Sequence, residues 1–286
     1  MINKGIVLAG GSGTRLSPLT KAVNKQLLPI FDKPLIFYPL SILMLANIKN
    51  ILMIVNPGQI DNFKSLLGDG KRFGIKIQYK IQKKPKGLAD AFIVGKHFIK
   101  KDNVALILGD NFFYGQSLTN KLEKSLSHEN GARIFLKNVK TPQNFGVAKI
   151  INNKIKKIVE KPKKFVSNYA ITGLYFFDNK VVNYAKKLKP SKRGEIEITD
   201  ILNFYNNNGN LYYEQIGRGA IWSDAGKIED MTNVSSFVQS VEKVQSIKIA
   251  CLEEIALAKK WINKKTILQN INFYGNCDYS NYLKNL

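Results

Sequence analysis

Short apolar runs alternate with stretches of helical periodicity along the first half of the chain. Residues 5–9, 51–56, 75–81 and 104–108 have strand length and few polar interruptions, as expected of strands buried on both faces. Between them, residues 35–48, 59–67 and 87–98 have the length and spacing of helices. This order predicts an α/β fold: a Rossmann-like three-layer sandwich around a mostly parallel, mixed central sheet. The second half is less regular. Residues 132–139, 147–151, 156–159, 168–177 and 211–216 predict strands, and 180–188 and 197–206 predict helices. From residue 228 the pattern turns mainly helical, with helices expected over 227–246 and 252–263. No Pro/Ser-rich linker or internal repeat interrupts the chain. The expected organisation is one domain over residues 1–226, in two parts of about 1–110 and 111–226, followed by a helical subdomain over 227–286.

Composition narrows the class. The 286 residues are 44% hydrophobic, ordinary for a globular protein. The longest apolar stretch, 35–48, is broken by Pro39 and is shorter than a membrane span. The amino terminus lacks the basic, apolar and small-residue pattern of a leader, so a cytoplasmic protein is expected. Cys251 and Cys277 are too few for a disulfide scaffold or a four-cysteine zinc site. The 44 Lys+Arg against 21 Asp+Glu give a formal charge of +23. Such a charge suits nucleic acid, but the excess is mostly scattered lysine with no arginine-rich tract. The clusters at Lys83, Lys84 and Lys86, and at Lys154, Lys156, Lys157, Lys161, Lys163 and Lys164, read as a solvated surface that attracts anionic small substrates. Neither nucleic acid nor membrane is the expected partner.

Two strand ends carry the candidate chemistry. The strand at 5–9 runs into Gly10-Gly-Ser-Gly-Thr-Arg15, and the one at 104–108 runs into Gly109-Asp110-Asn111. In a parallel sheet both emerge at the carboxyl edge, where open α/β folds bind ligands. Glycines after a strand let backbone amides approach a phosphate. Arg15 adds a planar cation suited to phosphate oxygens, and Lys25 a second charge. No Lys-Ser/Thr follows the last glycine as in a P-loop, and Arg15 and Leu16 stand where a dinucleotide fingerprint wants a small residue. Asp110 supplies a hard oxygen ligand for a divalent metal. Taken alone it reads equally well as a turn residue capping the next helix, and Asp224 before Gly226 also has a reading as simple turn chemistry. His97 and His128 lie outside every motif and read as structural.

The ordered motifs resemble those of the sugar-1-phosphate nucleotidylyltransferases: Leu8-Ala-Gly-Gly-Ser-Gly-Thr-Arg-Leu16, Lys25-Gln-Leu-Leu-Pro29, Gly87-Leu-Ala89, Leu108-Gly-Asp-Asn111, Phe145-Gly-Val147, Val159-Glu-Lys-Pro162, Thr172-Gly-Leu-Tyr175 and Arg193-Gly-Glu-Ile-Glu-Ile-Thr-Asp200. The similarity covers essentially the whole chain. It implies Mg²⁺-dependent transfer of a thymidylyl group from dTTP to glucose 1-phosphate. UTP or another sugar 1-phosphate, or a non-catalytic nucleotide-sugar sensor, are the alternatives. It further implies that Leu8, Gly10, Gly11, Ser12, Gly13, Thr14, Arg15, Lys25, Gln82, Gly87 and Leu88 bind the nucleotide, and that Asp110 and Asp224 hold Mg²⁺. Asn111, Gly146, Glu160, Lys161, Thr172 and Tyr175 would surround the sugar phosphate, with Arg15, Lys25, Asp110 and Lys161 acting in catalysis. The part near 1–110 would then hold the nucleotide and the part near 111–226 the sugar phosphate. A homo-oligomer, by resemblance a tetramer, is expected. The chain departs from the family pattern at Ser17, Asp90, Ser223 and Ala225.

Overall fold

The computed structural model describes residues 2–11, 13–126 and 130–286. Its core is a nine-stranded sheet. Lys4–Ala9 lies between Asn50–Val55 and Val104–Leu108, parallel to both, and Lys76–Ile81 extends the parallel set outward. These strands are rich in Ile, Val, Leu and Met, as sheets covered on two faces require.

Tyr169–Phe177 runs antiparallel beside Val104–Leu108 and organises the second half. Its other edge pairs antiparallel with Ala132–Asn138, which is followed in parallel by Leu211–Ile216. Gly146–Ile151 joins near its beginning and pairs in turn with Lys154–Glu160. Tyr169–Phe177 and Lys154–Glu160 alone oppose the common direction, so the sheet is mixed but mostly parallel. On the edge of Tyr169–Phe177 facing the first half, Gly146–Ile151 pairs at Ala170 and Val104–Leu108 takes over from Leu174. Residues 171–173 fall between these pairings, and the second of the cavities described below opens there.

Helices cover both faces. Phe37–Leu45 is buried along most of its length on one face, with Leu252 and Ala256 of Leu252–Ala258 in the same apolar cluster. Asp90–Val94, Val181–Lys187 and Ile198–Asn207 lie on the other. The long helix Ile228–Gln245 packs Met231, Val234 and Val238 against Leu16, Leu28, Ile30 and Phe112. An ionic cluster reinforces that contact. Lys33, 4% exposed, donates to Glu242 Oε1 at 2.9 Å and pairs with Asp32, while Lys248 bridges Asp32 and Glu242. Among the described residues no helix is long and apolar enough to cross a membrane.

Some local expectations change. The single helix expected over 87–98 is two short ones, Asp90–Val94 and Lys96–Ile99, broken at Gly95. The helix expected over 252–263 stops at Ala258, and Lys264–Tyr274 and Asp278–Leu283 follow. Phe112–Gly115 and Ala220–Ser223, too short to show an alternating pattern, form a two-stranded ladder.

Candidate active site

Leu8 is paired with Leu108, and the N–H of Gly109 donates to Leu8 O at 2.9 Å. The glycine loop and Asp110 therefore leave the sheet side by side. Two cavities open along this edge. The first, about 430 Å³, is lined by Leu8, Gly10, Gly11, Gly13, Thr14, Arg15, Lys25, Gln82, Gly87, Leu88 and Asp110, among others. The second, about 560 Å³, is lined by Asp110, Asn111, Gly146, Glu160, Lys161, Tyr175 and Asp224, with Arg193, Glu195, Glu197 and Trp222. Arg15, Leu88, Leu108, Asp110, Glu195 and Gly226 line both, so the cavities meet there.

Lys25 links the distant segments. Its Nζ donates to Asp110 Oδ2 at 2.7 Å and to the backbone oxygen of Asp224 at 3.4 Å. The Asp224 carboxyl is pushed up by burial and by the Asp110 charge, with Lys25 opposing. Two carboxylates that repel across a cavity form a hard-oxygen donor pair, the kind of set magnesium uses together with substrate phosphates and water. The turn at Ser223–Gly226 fixes the second carboxylate. Gly226 N–H donates to Asp224 Oδ1 at 3.2 Å, and Ala225 N–H to Ser223 Oγ at 3.2 Å.

Asn111, 1% exposed, is held from three sides. Its Nδ2 donates to Asp110 Oδ1 at 2.9 Å, and its Oδ1 accepts from Trp222 Nε1 at 2.7 Å and Gly173 N at 3.1 Å. Gly173 has to be glycine for this approach, because a Cβ there would lie 2.5 Å from Asn111 Oδ1. Asn111 thus lines the second cavity while its amide braces Asp110. Sequence reasoning missed this unit, which joins segments more than 60 residues apart.

The rest of the second cavity is rich in charge. Arg193 donates to Glu160 at 3.4 Å, Glu195 at 3.2 Å and Glu197 at 3.3 Å. Burial and then Glu197 push the Glu160 carboxyl up, with Lys161 and Arg193 pulling the other way. Burial, then Glu160, raises the Tyr175 phenol well above its ordinary range.

Almost every described residue expected at the site lines one of the cavities. Thr172 is the exception. It is fully buried, its Oγ1 has no partner in the structure, and it lines neither cavity. Ile171, Gly173 and Tyr175 face the second cavity, and strand alternation turns Thr172 to the opposite face with Leu174 and Phe176. Ser12 and His128 lie outside the described residues. His97 is exposed and lines neither cavity, and Lys83, Lys84, Lys86, Lys154, Lys156, Lys157, Lys163 and Lys164 are likewise exposed and outside both.

The nucleotidyl transferase family model matches residues 4–241, and the chain belongs to that family. It is 49% identical over 284 residues to a glucose-1-phosphate thymidylyltransferase of Neisseria meningitidis, covering 99% of both chains. It is 43% identical to one of Mycobacterium tuberculosis, covering 99% of this chain and 98% of the other. A structure from Bacillus anthracis, described as a glucose-1-phosphate thymidylyltransferase in complex with a sucrose, superimposes with a TM-score of 0.77. Its identity is 40%, over 82% of this chain and 94% of that one. A UDP-glucose pyrophosphorylase complexed with UDP-glucose gives 0.73 at 25% identity, over 84% and 99%.

Proposed function

We propose that the protein transfers a thymidylyl group from dTTP to glucose 1-phosphate, giving dTDP-glucose and pyrophosphate. The observation that carries this reading is the position of Asp110 where the two cavities meet. One is walled by the glycine loop with Arg15 and Lys25, the other by Glu160, Lys161 and Tyr175. A donor and an acceptor bound in these cavities meet beside that carboxylate.

The phosphate of a sugar 1-phosphate is already largely dianionic near neutral pH. Its oxygen attacks the α-phosphorus in line, a new P–O bond forms, and the bond to the β-phosphate oxygen breaks. No general base is needed. The main difficulty is bringing two polyanions together, so catalysis is positioning and electrostatics. The loop amides and Arg15 hold the triphosphate and stabilise charge on departing pyrophosphate. Lys161 offsets the charge of the attacking phosphate, and Glu160 accepts from sugar hydroxyls. Asp110 and Asp224 would hold Mg²⁺, which when bound withdraws charge from the α-phosphate. Lys25, whose Nζ donates to Asp110 Oδ2 at 2.7 Å, would supply a cation beside the phosphates.

The test is pyrophosphate release across a grid of nucleotides and sugar phosphates with Mg²⁺. Turnover is expected with dTTP and glucose 1-phosphate, and absence of product from folded protein rejects the reading. A pocket discriminates one methyl group by only about 1–3 kcal/mol, so UTP is expected to compete measurably. The same preparation in light scattering tests the proposed tetramer.

A further inference from the structure

The first cavity is walled by a side chain with two chemically opposite faces. Gln82 is 5% exposed, and its backbone N–H donates to Val55 O at 2.9 Å, which fixes where the side chain begins. Its Nε2 donates to Asp90 Oδ2 at 2.8 Å, and Asp90 is itself only 7% exposed. An ionised carboxylate accepts and never donates. The amide nitrogen must therefore face Asp90, and Oε1 must face away from it. The far side is the cavity: a Cβ built on Gly10 would lie 3.2 Å from Gln82 Oε1. Gly10 and Gln82 line the cavity, and Asp90 does not.

We propose that Asp90 is a positioning residue that sets which nucleobases the site accepts, by locking Gln82 with its carbonyl oxygen toward the cavity. The inference rests on the nucleotide assignment above and adds the chemistry that selects the base. A half-enclosed carbonyl acceptor wants a ring N–H. The imide of thymine or uracil offers one at N3. Cytosine presents a lone pair at N3, and two acceptors face to face leave both unpaired. A site built to pair a polar group rejects an analogue that cannot pair by about 10⁴-fold or more. The thymine methyl plays no part, so the lock separates imide pyrimidines from cytosine and leaves dTTP against UTP to other contacts.

An amide in place of Asp90 breaks the lock without changing the shape of the residue. An Asn side chain donates as well as accepts, so the Asn–Gln pair can turn over together and show Nε2 to the cavity. The lock therefore predicts a gain of function, which damage to the fold would not produce. The measurement is kcat/KM for dTTP and dCTP with glucose 1-phosphate in the wild type, Asp90→Asn and Asp90→Ala. In Asp90→Asn the dTTP value is expected to stay within a few-fold while the dCTP value rises about tenfold or more. Asp90→Ala, which leaves the Gln82 amide free to turn, should also narrow the dTTP-to-dCTP ratio, mainly through KM. Wild-type turnover of dTTP separates the two ideas. Its absence rejects the nucleotide assignment. With it present, an unchanged ratio in both variants, or an equal fall in kcat for both nucleotides, overturns the lock alone.

Discussion

The two cavities share a wall and, with nucleotide proposed for the first and sugar phosphate for the second, meet opposite recognition problems. The nucleotide side carries two acidic side chains, Asp110 and Glu195, and otherwise offers backbone, Arg15, Lys25 and neutral groups. The sugar side carries six, Asp110, Glu160, Glu195, Glu197, Asp224 and Asp230, against Arg15, Lys161, Arg193 and Lys227. In a chain with 21 acidic residues and a charge of +23, such a concentration needs a reason. Sugar hydroxyls and a metal call for carboxylates, and a triphosphate calls for amides and cations. The basic surface outside draws both anionic substrates in, and the local charge sorts them.

The comparison breaks most sharply at the shared wall. Asp110→Asn and Asp224→Asn each remove one carboxylate of the proposed metal pair while keeping shape. Each should lower kcat for pyrophosphate release by about a hundredfold or more, the scale of losing one well-placed electrostatic contact. Near-normal rates in both folded variants would overturn the metal assignment.

Gly173→Ala tests the brace behind that wall. The new Cβ collides with Asn111, which must release Asp110, Trp222 or both. Displacement of a catalytic group by about 1 Å can cost up to about a hundredfold, so kcat/KM for glucose 1-phosphate should fall about ten- to a hundredfold. An unchanged value would mean that Asn111 braces nothing.

On the nucleotide side the matching contact is milder. Asn56 Oδ1 accepts from Gly11 N–H at 3.1 Å, and its Nδ2 donates to Gly11 O at 2.7 Å, so one amide clasps the loop peptide from both sides. The contact is exposed, and a hydrogen bond contributes net about 0.5–1.5 kcal/mol. Asn56→Ala should raise KM for dTTP about three- to tenfold and leave the KM for glucose 1-phosphate alone. Equal changes in both constants would contradict the division into two sides.

How much of this was legible follows from the range of each interaction. The strand Val104–Leu108 and its Asp110, the glycine loop and the parallel core are written in contiguous residues, where periodicity and turn chemistry suffice. Tyr169–Phe177 is buried on both faces, so no alternation in the sequence shows which side each residue takes. The resemblance placed Thr172 on the sugar side, and no alternation in the sequence was there to show that it faces away. The Asn111–Gly173–Trp222 unit and the clasp of Asn56 on Gly11 join distant segments through single amides. No local pattern encodes them, and the only sequence trace is a small residue, Gly173, inside an apolar strand.

The smallest effect concerns stability. Burial first, then Glu197, raises the Glu160 carboxyl, while Lys161 and Arg193 oppose the shift. The fold holds that proton more tightly than the unfolded chain does. Its stabilising contribution is therefore complete below the ordinary glutamate value, about 4.3, and is lost as pH rises through the raised folded value. Above that value the free protein carries a charge there that burial disfavours, an exchange of stability for function on the proposed sugar-binding role of Glu160. Glu160→Gln removes the charge and retains the size. It should raise the Tm of the free protein by about 2 °C at pH 7, the scale of a change near 1 kcal/mol in a chain of this length. The gain should shrink as pH falls from neutral toward the ordinary glutamate value, while KM for glucose 1-phosphate is raised relative to the wild type. A Tm difference that stays constant across that range would place the burden on another carboxylate of the sugar side, with Glu197 the first to replace.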